Sequence, residues 1–274
     1  MTSRKLIFSM SFVLSMATAI SLLFTFTHVR ADEGEDLAKQ LANPVAALIS
    51  VPIEFDTYSD IGPTDQGKRW TLVAKPVVPL TLNPEWNLIS RTIVPYIDQK
   101  DIVAGTGSQS GLGDFQESLF FSPAQPKNGL IWGAGPVFLF PTATDDLLGS
   151  EKWGIGPTGV VLKQEGSWSY GMLANHVWSY AGDNDRSDIS STFVQPFVTY
   201  TTKTATSFTL QTESTYNWKN EEWSVPVNAI IAQVLKIGPQ LIQVKAGIRY
   251  WADSAPGDPE GWGFKVGLVL LFPK

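Results

Sequence analysis

The sequence has no cysteine among its 274 residues. It therefore cannot form a disulfide scaffold, use a cysteine nucleophile, or hold zinc or an iron–sulfur cluster through thiolates. Charge is also scarce, because only 17% of the residues are charged, against roughly 25% in an average globular domain. Disordered chains show the opposite balance, with high net charge and low hydrophobicity, so the composition predicts a folded protein.

Acidic residues are missing from the beginning of the chain, where two basic residues precede an apolar stretch over 6–26. Val29 and Ala31 place short side chains at the two positions that a signal peptidase reads, and an acidic stretch begins at Asp32. These features predict a signal peptide over 1–31 that is cleaved at its end. The alternative is an uncleaved anchor helix, because about 20 apolar residues can span a bilayer.

Basic residues become scarcer still if that segment is lost. Removing Arg4, Lys5 and Arg30 takes the 20 basic residues to 17 against 26 acidic ones, a net charge of −9. No nucleic-acid partner is expected, because nucleic acids are bound through basic surfaces. The rest of the chain has no apolar run of about 18 residues, so any crossing of a membrane would have to be made by strands.

The pattern beyond the first segment is almost entirely that of β-structure. A short helix and linker are predicted over 32–45, with the helix itself over 32–42, and a barrel over 46–274. The β-segments have about 11–14 residues each, whereas strands of soluble proteins centre on about 5–6 and tilted membrane strands need about 9–11. The twelve predicted segments are 46–57, 69–81, 85–97, 112–122, 130–141, 152–164, 167–179, 189–201, 205–218, 223–236, 240–251 and 261–273.

The connections between these segments alternate in length, mostly long and polar after odd-numbered segments and mostly tight after even-numbered ones. Bacterial outer-membrane barrels combine an even strand count with short periplasmic turns and longer outer loops. The sequence therefore predicts an all-β fold, a closed antiparallel up-and-down transmembrane β-barrel of about 12 strands with a short N-terminal helix. It would lie in the bacterial outer membrane with both termini periplasmic, and the alternative is a soluble periplasmic β-protein.

Alternation within the segments separates an apolar face from a polar one. In 205–218, for example, Thr209, Gln211 and Glu213 belong to a wholly polar face, which suits a barrel lumen better than a sandwich core. Charged residues on the predicted inward faces would either fill a narrow barrel with salt bridges or form a constriction that selects solutes. The lumen-lining candidates are Glu54, Asp56, Lys75, Arg91, Asp114, Glu213, Lys245, Arg249 and Lys265.

Tryptophans concentrate near the predicted strand ends, as they do in the aromatic girdles of membrane proteins. The alternative is that they are scattered core residues. They are Trp86, Trp132, Trp153, Trp168, Trp178, Trp218, Trp223, Trp251 and Trp262.

The C-terminal segment contains a further pattern, in which Lys265, Gly267, Leu270 and Phe272 follow one another at fixed spacing. It resembles the terminal-strand signal that the bacterial barrel-assembly machinery reads. The aromatic residue is usually the last one of the chain, whereas two residues follow Phe272 here. The pattern predicts this machinery as a partner during biogenesis and outer-membrane lipid as a partner afterwards.

Several stretches together resemble a family of Gram-negative outer-membrane barrels labelled as meta-pathway phenol-degradation or transporter-like proteins. The resemblance runs from Asn43 to the end of the chain and contains no catalytic motif. It implies an outer-membrane location and a channel-like or transport role for small compounds, aromatic ones among them. The stretches include SRTIVPYI from Ser90, GLGDF from Gly111, IWGAGPVFLFPTATDDLLGSEKWGIGPTG from Ile131, WSYGMLANHVWSY from Trp168 and VQPFVTY from Val194.

Catalysis is not expected, because His176 is the single histidine that follows the predicted signal peptide. Barrel hydrolases place a histidine and a serine two residues apart, on one face of a strand. Position 178 is tryptophan here, and Ser179 falls on the opposite face. We therefore predict a wall or rim histidine, no catalytic residues, no metal site and no cofactor.

The leading hypothesis is a channel or transporter-like barrel that passes small, aromatic or hydrophobic molecules and is not an enzyme. The N-terminal helix would sit at the periplasmic mouth or plug it. Two alternatives stay open, a closed barrel with a structural or lipid-contacting role and a barrel enzyme acting on lipids. The sequence does not identify the solute.

Overall fold

The computed structural model describes residues 26–27, 31–62, 64–103 and 105–272. The predicted signal peptide lies almost wholly outside these ranges, and its cleavage stays a prediction. Within it, a two-residue strand, Phe26–Thr27, pairs antiparallel with Ile237 and Lys236. Across the described ranges, no helix is long and apolar enough to cross a membrane.

Twelve antiparallel strands form one closed sheet in the described part of the chain, which confirms the predicted fold class. Each strand pairs with the next along the chain, and the last pairs with the first from Phe272 opposite Ile49 to Lys265 opposite Asp56. The strands are β1 (Ile49–Ile61), β2 (Gly67–Ala74 and Val77–Thr81), β3 (Trp86–Lys100), β4 (Ser108–Leu112 and Phe115–Pro123), β5 (Leu130–Phe140), β6 (Lys152–Glu165), β7 (Trp168–Gly182), β8 (Ser190–Thr201), β9 (Thr206–Thr212 and Ser214–Asn217), β10 (Glu222–Ile237), β11 (Gln240–Asp253) and β12 (Trp262–Phe272).

The two ends of the barrel differ. The first strand begins and the last strand ends on one side, which also holds the helix and the short turns; we call it the helix end. The opposite side holds the longer connections and is called the loop end. The alternation of short and long connections that the sequence shows is therefore an alternation between the two ends of the barrel.

The outward face of the wall is mostly apolar, with Glu117, which accepts bonds from Ser90 and Thr92, as an exception, and it is bordered by aromatic side chains at both ends. Trp168, for instance, is 50% exposed at the helix end and Trp262 is 59% exposed at the loop end. Trp251 is an exception among the predicted girdle residues, because its ring is buried inside the barrel. The exposed girdle residues include Trp132, Trp168 and Tyr200 near the helix end and Trp153, Trp178, Trp218, Trp223, Tyr250 and Trp262 near the loop end.

The helix, α1 (Ala31–Leu41), lies inside the barrel at the helix end. Its buried Leu37 and Ala38 pack in one cluster with inward-facing residues of the wall, among them Val234 and Val269. The linker that follows crosses the lumen, and its Val45 packs in a second cluster against β3, β4, β6 and β7. Helix and linker together therefore fill the helix end of the lumen with apolar contacts.

Candidate functional site

Two cavities lie inside the barrel and meet at its middle. The cavity below α1 has a volume of about 210 Å³, and the cavity toward the loop end has about 620 Å³. Eight of the nine lumen candidates line one or both of them, and we call these eight the waist cluster. Its members are Glu54, Asp56, Lys75, Arg91, Glu213, Lys245, Arg249 and Lys265.

Glu54 is the centre of the waist cluster toward the helix end. Its side chain is 7% exposed and accepts hydrogen bonds from three ammonium groups. Lys75 Nζ is 2.7 Å from Oε2, Lys265 Nζ is 3.1 Å from the same oxygen, and Lys245 Nζ bonds Oε1. The three ammonium groups fully compensate the negative charge of the buried carboxylate, and the carboxylates of the waist compensate most of the positive charge around it.

Asp56 and Glu213 organise the other half of the cluster. Lys265 Nζ lies 3.2 Å from Asp56 Oδ1 and 3.6 Å from Glu213 Oε2, so this one lysine contacts all three carboxylates of the waist. The Arg249 guanidinium bonds Glu213, and its Nε donates to Asn228 Oδ1 over 2.7 Å. The waist is therefore one connected network and not a set of separate pairs.

Aromatic rings hold the guanidinium of Arg249 from the loop end. Its Cζ lies 5.4 Å from the ring centroid of Tyr58 and 5.4 Å from that of Trp251. Such cation–π contacts stabilise a charge that has left bulk water. Trp251 points inward because it follows Arg249 by two positions on β11, and side chains alternate between the faces of a strand.

The waist carries an excess of positive charge. Five cationic side chains face three carboxylates, which gives a formal net charge of +2. Four of the five, Lys75, Lys245, Arg249 and Lys265, bond a carboxylate. Arg91 is the fifth, and it has no salt bridge to any residue in the described ranges.

Two of these side chains, Lys75 and Glu213, lie at interruptions of their strands. The strand β2 is interrupted at Lys75 and Pro76, where proline lacks the N–H that a ladder needs, and β9 is interrupted at Glu213. The inward alternation continues across both interruptions, because Val73 and Val77 on either side of Lys75 also line the cavities, as do Gln211 and Thr215 on either side of Glu213. Gly267 contributes through its lack of a side chain, because a Cβ at this position would lie 2.6 Å from Cε of Lys245. The missing side chain leaves room for the lysine.

Asp114 is the candidate that the structure does not bring to the waist. It lies within the break of β4 near the loop end, where its carboxylate accepts bonds from the Ala143 N–H at 3.2 Å and the Ser150 N–H at 2.6 Å. Gln99 Nε2 donates to Leu147 O from the buried inward face. Asp114 therefore anchors the 141–151 connection at the mouth of the barrel.

The predicted wall histidine lies on the outward face near the loop end. Nδ1 of His176 is 2.7 Å from Thr192 Oγ1, which also accepts a bond from Trp218 Nε1 at 2.8 Å. The ring packs 4.1 Å from the ring of Trp178. Ser179 points to the other face and bonds Asp188, so no serine pairs with this imidazole in the described structure.

The residues of the predicted assembly signal divide between the two faces. Lys265 and Gly267 face the lumen, whereas Phe272 is an exposed outward residue at the helix end. Lys265 also contacts the three carboxylates of the waist. Recognition by the assembly machinery stays a prediction.

A salt bridge at the loop end provides a test of pH dependence. The pKa of Asp188 is lowered because the ammonium group of Lys152, 3.1 Å away, donates a hydrogen bond to its carboxylate. A lowered pKa in the folded state stabilises the fold above the unfolded pKa of about 4, and this stabilisation is lost as the pH falls through the folded value. Asp188→Asn should therefore lower the thermal midpoint at about pH 6, and its effect should shrink as the pH falls toward about 2.

The measurement is thermal unfolding of the detergent-solubilised barrel across that range. Asp185→Asn in the same connection is the control, because Asp185 is exposed and its carboxylate has no partner among the described residues. An equal loss for Asp188→Asn at both ends of the range would contradict the assignment.

Some residues of the site escaped the sequence analysis. Asn228 bonds Arg249, Gln164 Nε2 donates to the Lys39 carbonyl of α1 at 2.8 Å, and Tyr58 covers Arg249. Asn228 is a polar residue in an apolar stretch of β10, and this signal could have identified it. The other two contacts depend on where α1 and the guanidinium lie, which no local pattern encodes.

Comparisons with known proteins support the fold. No family model matches the chain, nor does any curated protein, so the meta-pathway similarity stays a resemblance. Among solved structures, an outer membrane channel from Pseudomonas putida is similar with a TM-score of 0.67 and 15% identity, covering 84% of this chain and 96% of that one. The NanC porin is similar with a TM-score of 0.50 and 12% identity, covering 81% and 98%. The chain thus shares the β-barrel fold of these two outer-membrane proteins.

Proposed function

We propose that this protein is an outer-membrane channel for small molecules, aromatic or hydrophobic ones among them, and that it is not an enzyme. The observation that carries the proposal is the lumen, in which two cavities meet at a polar, charged waist inside a wall that is mostly apolar outside. Charged constrictions of this kind select solutes in pores. The similarity of fold to a channel and a porin agrees with it.

The location follows from the surface of the barrel. An apolar band between two aromatic girdles suits a lipid bilayer, and short turns at one end are typical of the periplasmic side. We therefore place the helix end, with both termini of the mature chain, in the periplasm. The signal peptide over 1–31 would direct the chain there, and the terminal-strand pattern would bring it to the assembly machinery.

The helix α1 is the proposed plug of this channel. Its contacts with the wall are the apolar cluster around Leu37 and Ala38 and the bond from Gln164 to a backbone carbonyl. A solute that has passed the waist meets α1 before it reaches the periplasm. Passage of a solute therefore requires α1 to move, at least in part, out of its position at the helix end of the lumen.

A closed structural barrel is the second candidate, and the occupied helix end favours it. Salt bridges at the waist and an apolar plug together could serve stability alone. A lipid-modifying enzyme has less support, because the hydrogen-bond partner of His176 is Thr192, whose hydroxyl also accepts a bond from Trp218, and no nucleophile pairs with the imidazole in the described structure.

The channel proposal is tested by recording ionic current from the full chain in planar bilayers, with liposome swelling in small solutes as a second readout. Correct insertion is checked by the mobility shift of unheated protein on gels. We expect discrete openings and solute-dependent swelling. Folded, inserted protein with neither current nor swelling would leave the closed barrel as the better account.

A further inference from the structure

Arg91 stands apart from the other cations of the lumen. It projects from the middle of β3 and borders both cavities. Among the described residues it has neither a hydrogen bond from its side chain nor a carboxylate within 4.0 Å. The nearby Glu54 and Glu213 already bond the other four cations of the waist.

The guanidinium nitrogens of Arg91 are open to the cavities. The buried side-chain atoms that lack a hydrogen bond in the described structure belong to Asp56, His176 and Asn228, and none belongs to Arg91. An unpaired guanidinium is tolerated where water or a ligand can reach it. The surplus positive charge of the waist is thus accessible at one side chain.

An apolar strip of β2 and β3 lies above Arg91, beside Gln116 of β4, which is opposite Ile93 in the sheet. The next inward positions on β3 are Ile93 and Pro95, and Val73 of β2 lies opposite Pro95 in the sheet. Successive inward positions on a strand are about 7 Å apart. A small molecule bound at the guanidinium is therefore long enough to reach this strip. Phe193 of β8 also lines the same cavity. A cation at the floor and an apolar strip above it form an amphipathic site.

We infer that the loop-end cavity binds a small organic carboxylate. Its acid group would pair with the guanidinium of Arg91, whose planar fork matches a carboxylate in a bidentate way. Its apolar body would lie along Val73, Ile93 and Pro95. The cavity volume of about 620 Å³ falls within the range of small-molecule sites, roughly 300–1,000 Å³.

This inference deepens the proposed function, since it names a solute class for the same lumen, but binding itself does not require conduction. The test is therefore a binding measurement on the full folded chain in detergent. Isothermal titration calorimetry with benzoate is compared with benzamide, which has the same ring without the charge, and with inorganic phosphate, which has charge without an apolar body. We expect benzoate to bind more tightly than either.

Arg91→Gln should weaken benzoate binding by about tenfold or more, because it removes a charge-assisted hydrogen bond. Arg91→Lys keeps the positive charge but loses the planar guanidinium, so its benzoate affinity should lie between those of the original chain and Arg91→Gln. It also provides the test if the glutamine variant fails to fold. Lys100→Gln is the matched control at the rim, where the Lys100 side chain is 68% exposed, and it should bind as the original chain does.

The outcomes separate the two proposals. Equal benzoate affinity in the original chain, Arg91→Lys and Arg91→Gln, or phosphate binding as tight as benzoate, would overturn the carboxylate site. Current through the barrel without benzoate binding would overturn this inference and leave the channel standing. Benzoate binding that depends on Arg91, in a barrel without current, would support the site and contradict the channel.

Discussion

Replacing Glu54 by glutamine is expected to destabilise the folded barrel by about 3 kcal/mol, the cost of breaking a buried ion pair. Glu54 is 5% exposed and accepts bonds from Lys75, Lys245 and Lys265. Its neutralisation leaves three ammonium groups in the lumen with only two carboxylates, which Arg249 also shares. The formal charge of the waist rises from +2 to +3, so the remaining groups also repel each other more strongly.

The measurement for this prediction is urea unfolding of the barrel in detergent, followed by the loss of the mobility shift on unheated gels. Glu165→Gln is the control, because the Glu165 side chain is 66% exposed in an ion pair with Lys163 and should contribute little. Adding Lys245→Met to Glu54→Gln restores the formal charge to +2 and should recover part of the loss. A Glu54→Gln barrel as stable as the original would mean that water in the lumen screens the network.

Deleting residues 32–42 is expected to increase the single-channel conductance several-fold. The deletion removes α1, whose Leu37 and Ala38 fill the helix end between the lower cavity and the periplasm. The charged waist then becomes the narrowest polar part of the path, and current should still depend on the salt present.

Planar-bilayer recordings of the deleted and the full chain provide this comparison. Asp36→Asn is the control, because it changes an exposed residue of α1 and leaves the packed face in place. An unchanged conductance after deletion would show that α1 is not the barrier. No current from either protein would favour the closed structural barrel.

The strands could be predicted well because the alternation of inward and outward side chains can be recognised within each strand by itself. The length of each strand is set by the height of the barrel wall. The residues on β12 illustrate this, since Phe264 and Val266 are exposed outside while Lys265 is buried inside. Closure also follows, because an even number of long strands, with no apolar run of membrane-spanning length after residue 31, leaves few other ways to satisfy the backbone in a membrane.

The contacts of the site could be predicted only in part. Inward orientation of Glu54 and Lys245 follows from parity, but the two residues are 191 positions apart, and their contact depends on the register across the closing strands. Asp114 has the parity of a lumen residue, yet a break in β4 and the folded-in 141–151 connection give its carboxylate a backbone-binding role. Trp251 has the inward parity of Arg249 on β11, so its direction follows from alternation, whereas its contact with the guanidinium does not.

A locked plug tests the central claim most directly. Because the chain has no cysteine, Ala38→Cys and Ala205→Cys introduce a unique pair, and both alanines lie in the cluster between α1 and the wall. Single-channel current is recorded with this pair oxidised and then reduced in the same bilayer, after the cross-link has been verified on gels. We predict that the oxidised barrel stays closed and that reduction restores the openings of the original chain. Equal current in both states would contradict the account, because solutes would then pass without displacing α1.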